Sequence, residues 1–150
     1  MIIRIADPLE DAFQLLQGAY DFISRMDFVD WFPETDEKFH ESFGGTLMSD
    51  AVETVVAEHE GKIVGMIVMA YVPVLWNMDL LNAEELLWWG AKDAPKTAGL
   101  RLLKFVKNRA KEKGADMITF RKLTSSPPGV GTVYERMGLR EIETTYTGLL

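Results

Sequence analysis

The stretch EELLWWGAKDAPKTAGLRLLKFVKNRAKEKG, Glu84–Gly114, decides the fold. Its apolar run Leu86–Ala91 reads as the body of a strand over Glu84–Ala91. A short loop of small and basic residues follows. Then comes a cationic amphipathic helix, roughly Thr97–Lys113, with Leu103, Val106 and Ala110 turned inward and Gly114 as its stop. A strand that hands its end to a helix N-terminus makes a ready anion site. The first backbone N–H groups there have no partner, and the helix dipole is positive. A ligand carrying phosphates is expected on this stretch.

The charge is unevenly spread. The net charge is −7, yet residues 96–113 hold Lys96, Arg101, Lys104, Lys107, Arg109, Lys111 and Lys113 against Glu112 alone. Residues 27–60 carry ten acids against Lys38. An acidic chain of this kind does not read as a nucleic-acid binder. It reads as one anion-attracting element on a body that favours cations. The plainer alternative is that the lysines only solvate an exposed helix face.

Outward from the helix, the order of elements is legible. Ile2–Ala6 is a short β-prone start. Asp7-Pro8 sets up a helix in which Ala12, Leu16, Ala19, Tyr20 and Ile23 repeat at helical spacing. Phe28–Pro33 breaks it, with Trp31 and Phe32 expected to pack under the loop. A second helix over about Thr35–Met48 is expected to be interrupted at Gly44-Gly45. Thr54–His59 and Lys62–Val72 form a hairpin around Glu60-Gly61. Pro73–Asn82 reads as loop or irregular strand. After the cationic helix come a strand in Ala115–Leu123, a Ser/Pro/Gly loop, a short helix near Val130–Met137 closed by Gly138, and a last β-prone segment, Leu139–Leu150. The result is a single mixed α/β domain over residues 1–150.

Several chemistries are excluded by composition. There is no cysteine, hence no disulfide framework, thiol nucleophile or thiolate metal site. With His40 and His59 as the only histidines, no metal is expected. The apolar runs around Ile63–Leu75 are too short and interrupted for a membrane span. The N-terminus lacks the pattern of a signal peptide, so a cytoplasmic protein without membrane partners is expected.

Three local patterns, in this order of elements, resemble the GNAT superfamily, the Gcn5-related N-acetyltransferases. The hairpin TVVAEHEGKIVGMIVM is similar to the family's second and third strands. ELLWWGAKDAPKTAGLRLLKFVKNRAKEKGADMITF resembles the strand–loop–helix–strand that binds acetyl-CoA. VYERMGL looks like the family's short helix and turn. The phrase ELLWW, a loosened loop and GLRLL look most like the divergent branch common in phage genomes. The resemblance implies a GNAT fold: a mixed sheet of about six to seven strands, about four helices, and splayed fourth and fifth strands. It also implies acetyl-CoA as co-substrate. The pantetheine arm and thioester would lie on backbone groups of Trp88, Trp89, Gly90 and Ala91. The pyrophosphate would lie on the loop and first helical turn: Lys96, Thr97, Ala98, Gly99, Leu100 and Arg101. The chain departs from the family's phosphate-loop pattern at Ala94 and Thr97, and Pro95 removes a donor; Lys92 or Lys96 would substitute for the expected basic residue.

Acyl transfer to an amine needs a deprotonated amine, a polarised thioester carbonyl and an acid for the leaving thiolate. By the resemblance, Glu85 is the candidate base and Tyr134 the candidate acid. Strand alternation lets only one of Glu84 and Glu85 face the cleft. Trp88 and Trp89 likewise cannot share a face: one would cover the acyl pocket or cofactor arm while the other packs on a helix. Ser125 and Ser126 are turn formers or contacts to the arm, and Trp76 and Met78 are loop anchors or acceptor-side residues. The expected activity is N-acetyl transfer by direct attack. The alternative is an inactive GNAT-like domain acting as acyl-CoA sensor or protein-binding adaptor or inhibitor. The acceptor would be an amine, cationic small molecule or protein lysine, and a homodimer is possible.

Overall fold

The computed structural model of the chain describes residues 1–27 and 36–149, so the expected break at Phe28–Pro33, with Trp31 and Phe32, lies outside the described residues. The elements run β1 (Ile2–Ile5), α1 (Ala12–Ile23), α2 (Asp36–Leu47), β2 (Val52–His59), β3 (Lys62–Val74), β4 (Asn77–Gly90), α3 (Ala98–Glu112), β5 (Met117–Thr119) and α4 (Val130–Arg136). They build one five-stranded sheet in the order β1-β2-β3-β4-β5. The pairs are antiparallel as far as β4, and β5 lies parallel to β4 after the α3 crossover. This is the mixed α/β architecture read from the sequence, with fewer strands than the six or seven expected.

The β2–β3 hairpin turns through Glu60 (φ 52°) and Gly61 (φ 75°). Both central residues are left-handed, as the tight turn matching strand twist requires. The next hairpin settles Pro73–Asn82, read as loop or irregular strand, in favour of the irregular strand. Pro73–Asn82 is not a loop: β3 runs to Val74, turns at Leu75-Trp76, and returns as β4 from Asn77. Pro73 is tolerated because the register shifts between it and Val74, where a missing N–H costs little. Trp76 and Met78 are exposed at this tip rather than buried as anchors.

Two further expectations change. α2 runs unbroken through Gly44 and Gly45, where a Cβ would meet only open space; Phe39 and Phe43, stacked with centroids 5.7 Å apart, and buried Leu47 hold the helix instead. Residues 139–149 form no strand and lie largely exposed. The few apolar residues there divide between the two strand faces, Ile142 and Tyr146 on one and Leu139 and Leu149 on the other, and β5 offers an edge only three residues long.

The sheet is packed on both faces. α1 and α2 cover one side, where Leu15, Ala19 and Leu47 meet Val56, Met66, Val68, Leu87 and Trp89. α3 covers the other, with Leu102, Leu103, Val106 and Ala110 on Val55, Ile67 and Met69; Val133, Tyr134 and Met137 of the α4 region flank them. Gly65 lets α3 close on β3, because a Cβ there would stand 3.1 Å from Leu102 Cδ1. Within α1, Leu15 and Gly18 take the buried positions beside Ala19, while Leu16 and Tyr20 are half-buried.

α3 and α4 end in the same cap. After α3, Gly114 N–H bonds Lys111 O and Ala115 N–H bonds Ala110 O; after α4, Gly138 bonds Glu135 O and Leu139 bonds Tyr134 O. These paired bonds are the Schellman closure, and Gly114 (φ 78°) and Gly138 (φ 83°) supply its left-handed residue.

Candidate active site

The site begins with one extra residue in β4. The register pairs Val68 with Leu87 but Met69 with Glu85, leaving Leu86 unmatched as a β-bulge. Side chains therefore change faces across it. Ala83 belongs to the α3 core, and Glu85 shares its side by alternation. Beyond the bulge, Leu87 and Trp89 point to α1, and Trp88 points to α3 and α4.

The bulge coincides with the end of the β4–β5 ladder. Parallel pairing runs Asn82↔Met117, Ala83↔Ile118 and Glu84↔Thr119, and stops. β4 continues to Gly90 with β3 as its partner, so the two strands form a fork. The phase of the β3–β4 ladder tells which groups face the opening. Ala91 N–H donates to Val64 O at 2.9 Å. Alternation then turns the amide of Trp89 toward β3 as well, and those of Trp88 and Gly90 into the fork.

At the crotch lies Glu85, 5% exposed. Its Oε2 accepts the Arg121 backbone N–H at 2.9 Å. Burial pushes its carboxyl up to about 7, against the opposing effects of the Arg121 N–H and guanidinium charge. Arg121 is the hub of the crotch. Its guanidinium donates to the Glu85 carbonyl and to Glu84 Oε1, and its own carbonyl accepts the Tyr134 hydroxyl at 3.0 Å. Of the two glutamates, Glu85 is thus the buried one beside Tyr134, and Glu84 is tied to the Arg121 side chain.

Tyr134 leans on Phe120 (centroids 5.4 Å, nearly parallel) and on Trp88 (6.1 Å). Burial first, and the Glu85 charge second, push its hydroxyl above the usual phenol range. Trp88 reaches the other wall too: its Cζ2 would stand 3.3 Å from a Cβ on Gly99. Trp89 packs on α1, so the two tryptophans serve opposite layers.

The α3 N-terminus opens beside Trp88. Thr97 gives no side-chain cap, and the first turn holds no acid. Ala98 N–H bonds Pro95 O at 2.8 Å and Arg101 N–H bonds Thr97 O at 3.0 Å, which leaves the amides of Gly99 and Leu100 for an outside acceptor. Lys92, Lys96 and Arg101 are exposed around them. Ser126 Oγ accepts Leu123 N–H at 2.9 Å and so shapes the loop before α4; Lys107 Nζ pins that helix's end through Met137 O at 2.6 Å. His40 stands edge-on to Tyr20, and His59 lies 4.0 Å from Glu60 at the β2–β3 turn. A cavity of ≈ 230 Å³ among Ile5, Leu15, Leu47 and Thr54 sits at the opposite edge of the sheet and has no part in the fork.

No family model matches the chain, and no curated protein does. Solved structures do. The ribosomal-protein-alanine N-acetyltransferase of Brucella melitensis biovar Abortus 2308 superposes with a TM-score of 0.75 at 16% identity, each chain covering 100% of the other. A transcriptional regulator from Bacillus halodurans C-125 gives 0.77 at 21%, with 99% coverage on both sides. A predicted acetyltransferase from Clostridium acetobutylicum, solved with acetyl-CoA, gives 0.71 at 16%, covering 99% of this chain and 95% of its own. The chain has the GNAT fold. No helix among the described residues is long and apolar enough to cross a membrane.

Sequence reasoning did not single out Arg121, Asp21 or Arg25. For Arg121 a signal existed: a basic residue just past the strand segment Met117–Thr119, which a crossover helix sets parallel to the strand carrying Glu84-Glu85. For Asp21 and Arg25 the only signal was their spacing of four on one helix, which is common on any surface.

Proposed function

We propose that this protein is an N-acetyltransferase that moves the acetyl group of acetyl-CoA to an amine by direct attack. The observation that carries the reading is the fork: β4 runs past its last partner in β5, turns amides into the gap, and holds a buried carboxyl near pKa 7 at its base. A strand edge that lacks a neighbour binds an extended chain with amides of its own, as the pantetheine arm has. The amides of Trp88 and Gly90 are the donors for that arm and the thioester oxygen. The amides of Gly99 and Leu100, with Lys92, Lys96 and Arg101, would take the phosphates.

Within this reading Glu85 is the base. A carboxyl poised near neutral pH is well matched to taking a proton from the acceptor ammonium, directly or through water, so that the free amine attacks. Tyr134 stays protonated through the physiological range and supplies the proton for the departing thiolate. Arg121 holds both, its N–H on Glu85 and its carbonyl on Tyr134. The surplus of acids in residues 27–60 favours a cationic acceptor, such as a polyamine or a lysine side chain.

A second reading, an acyl-CoA sensor or adaptor without turnover, draws on the phosphate loop, where Pro95 O consumes the first helical amide. Calorimetry with acetyl-CoA and thiol release across an amine panel separate the two. Binding with thiol release supports the enzyme. Binding without release favours the sensor, and no binding at high micromolar acetyl-CoA sinks the acetyl-CoA reading.

A further inference from the structure

The last turn of α1 closes a ring of bonds on the end of β4. The Trp89 indole lies against Gly18, where an added Cβ would sit 2.8 Å from Cε3. From there Nε1–H donates to Asp21 Oδ2 at 2.7 Å. The same carboxylate accepts the Arg25 guanidinium through Nε, at 3.2 Å, and through Nη2. Arg25 Nη1 then donates to the Gly90 carbonyl at 3.0 Å. The peptide after Gly90 is thereby held at both ends, since its N–H, that of Ala91, is bonded to Val64 O.

This ring changes the chemistry of the open edge. Five groups matter along it: the carbonyls of Glu85, Trp88 and Gly90 and the amides of Trp88 and Gly90. The two end carbonyls are covered by guanidinium groups, from Arg121 on Glu85 and from Arg25 on Gly90, and the Trp88 carbonyl stays open between them. The two amides are left free. A bare strand edge alternates donors and acceptors and would repel a carbonyl oxygen at every second group. With its end carbonyls masked by cations, the edge is donor-rich and positive, the polarity that a thioester oxygen and its developing negative charge require.

We propose that Arg25, oriented by Asp21, is a positioning residue for the acyl donor: it masks the Gly90 carbonyl and fixes the last peptides of β4, so that Gly90 N–H is presented to the arm of acetyl-CoA. The proposal rests on the acetyl-CoA reading above. It assigns to α1 a role in donor binding, through a charge that need not touch the donor.

The test is calorimetry of acetyl-CoA on the full chain, with steady-state kinetics on an amine acceptor. The proteins are wild type, Arg25→Gln, Arg25→Lys, Asp21→Asn and the Arg25→Gln/Asp21→Asn pair. Arg25→Gln is expected to weaken acetyl-CoA binding about tenfold and to raise its KM with little change in kcat, the scale of one charge-assisted hydrogen bond. Asp21→Asn weakens binding less and adds nothing to Arg25→Gln, because the two act as one unit. Arg25→Lys recovers part of the loss. A purely structural ring would lower the melting temperature and leave the KM alone. Should Arg25→Gln melt early, Trp89→Phe keeps an aromatic ring in the core and removes the N–H on Asp21 together with part of the indole volume; weaker binding is expected in the folded variant too. Wild-type affinity in folded Arg25→Gln or Trp89→Phe overturns the proposal and leaves the acetyl-CoA reading standing. Failure of the wild type to bind acetyl-CoA overturns both.

Discussion

Arg121 presents its backbone N–H to the buried carboxylate of Glu85 at 2.9 Å and covers the carbonyl of the same glutamate with its guanidinium. One residue of β5's continuation thus grips a residue of β4 twice, just where the two strands part. The base of the fork is fixed, and Glu85 is kept in a dry setting without losing every partner. Its elevated pKa follows from burial outweighing these two contacts.

Glu85 sets the first prediction. With an acceptor amine whose own pKa lies well away, kcat/KM for acetyl transfer rises about tenfold per pH unit below about 7 and levels off above it. Glu85→Gln lowers the plateau by about 10²–10⁴-fold and flattens that limb. A profile whose acid limb survives in Glu85→Gln rejects the assignment.

The same group carries a stability cost whose sign is fixed by linkage. The folded-state carboxyl titrates near 7 and the unfolded one near 4.5, so the native state binds the extra proton between those values. Stability from this group therefore falls as pH rises from about 4.5 to 7, and the penalty is complete above that. Glu85→Gln is expected to be more stable than wild type at pH 8, by up to about 3 kcal/mol. The gain should vanish near pH 4.5. Paired urea titrations at the two pH values decide it.

Tyr134→Phe removes the hydroxyl that donates to Arg121 O while keeping the ring stacked on Phe120. A loss of about 10²-fold in kcat is expected, with the KM for acetyl-CoA nearly unchanged. An unchanged kcat would show that thiolate departure is served by another donor.

Gly18→Ala probes packing. The new methyl would meet the Trp89 ring at 2.8 Å, and the ring is held from the far side by its bond to Asp21. A destabilisation of about 1–3 kcal/mol is expected from overpacking. Thermal melts measure it, and a shift in Trp fluorescence accompanies it.

The sequence carried the layers of the fold well, because periodicity is a local property. The hairpin around Glu60-Gly61, the α3 face of Leu103, Val106 and Ala110, and the Gly138 stop all follow from short-range spacing and backbone preference. What it carried poorly depends on neighbours distant in the chain. Pro73–Asn82 reads as loop or irregular strand, and the register shift that lets strand pairing continue past Pro73 is set by a distant partner. Leu139–Leu150 reads as β-prone, but β5 offers an edge of only three residues. Glu85 and Tyr134 were recognised as candidates. Their coupling through Arg121 was not, since it spans 36 residues from Glu85. The fork amides were legible only by resemblance, and choosing Trp88 and Gly90 from the four candidates took the ladder's phase.

Leu86 repays a last look as a matter of parity. In a strand, odd and even positions belong to different faces, and one inserted residue exchanges them for everything downstream. Leu86 is such an insertion. Were Leu86 paired with Val68 instead of bulged, Trp88 would take the α1 side beside Gly18, while Trp89 would be thrown against Gly99 and Tyr134 with no Asp21 to meet its N–H. The amides now facing the gap would turn to β3, and those of Trp89 and Ala91 would replace them. A single leucine, itself touching little, therefore sets the phase in which the whole donor edge is written.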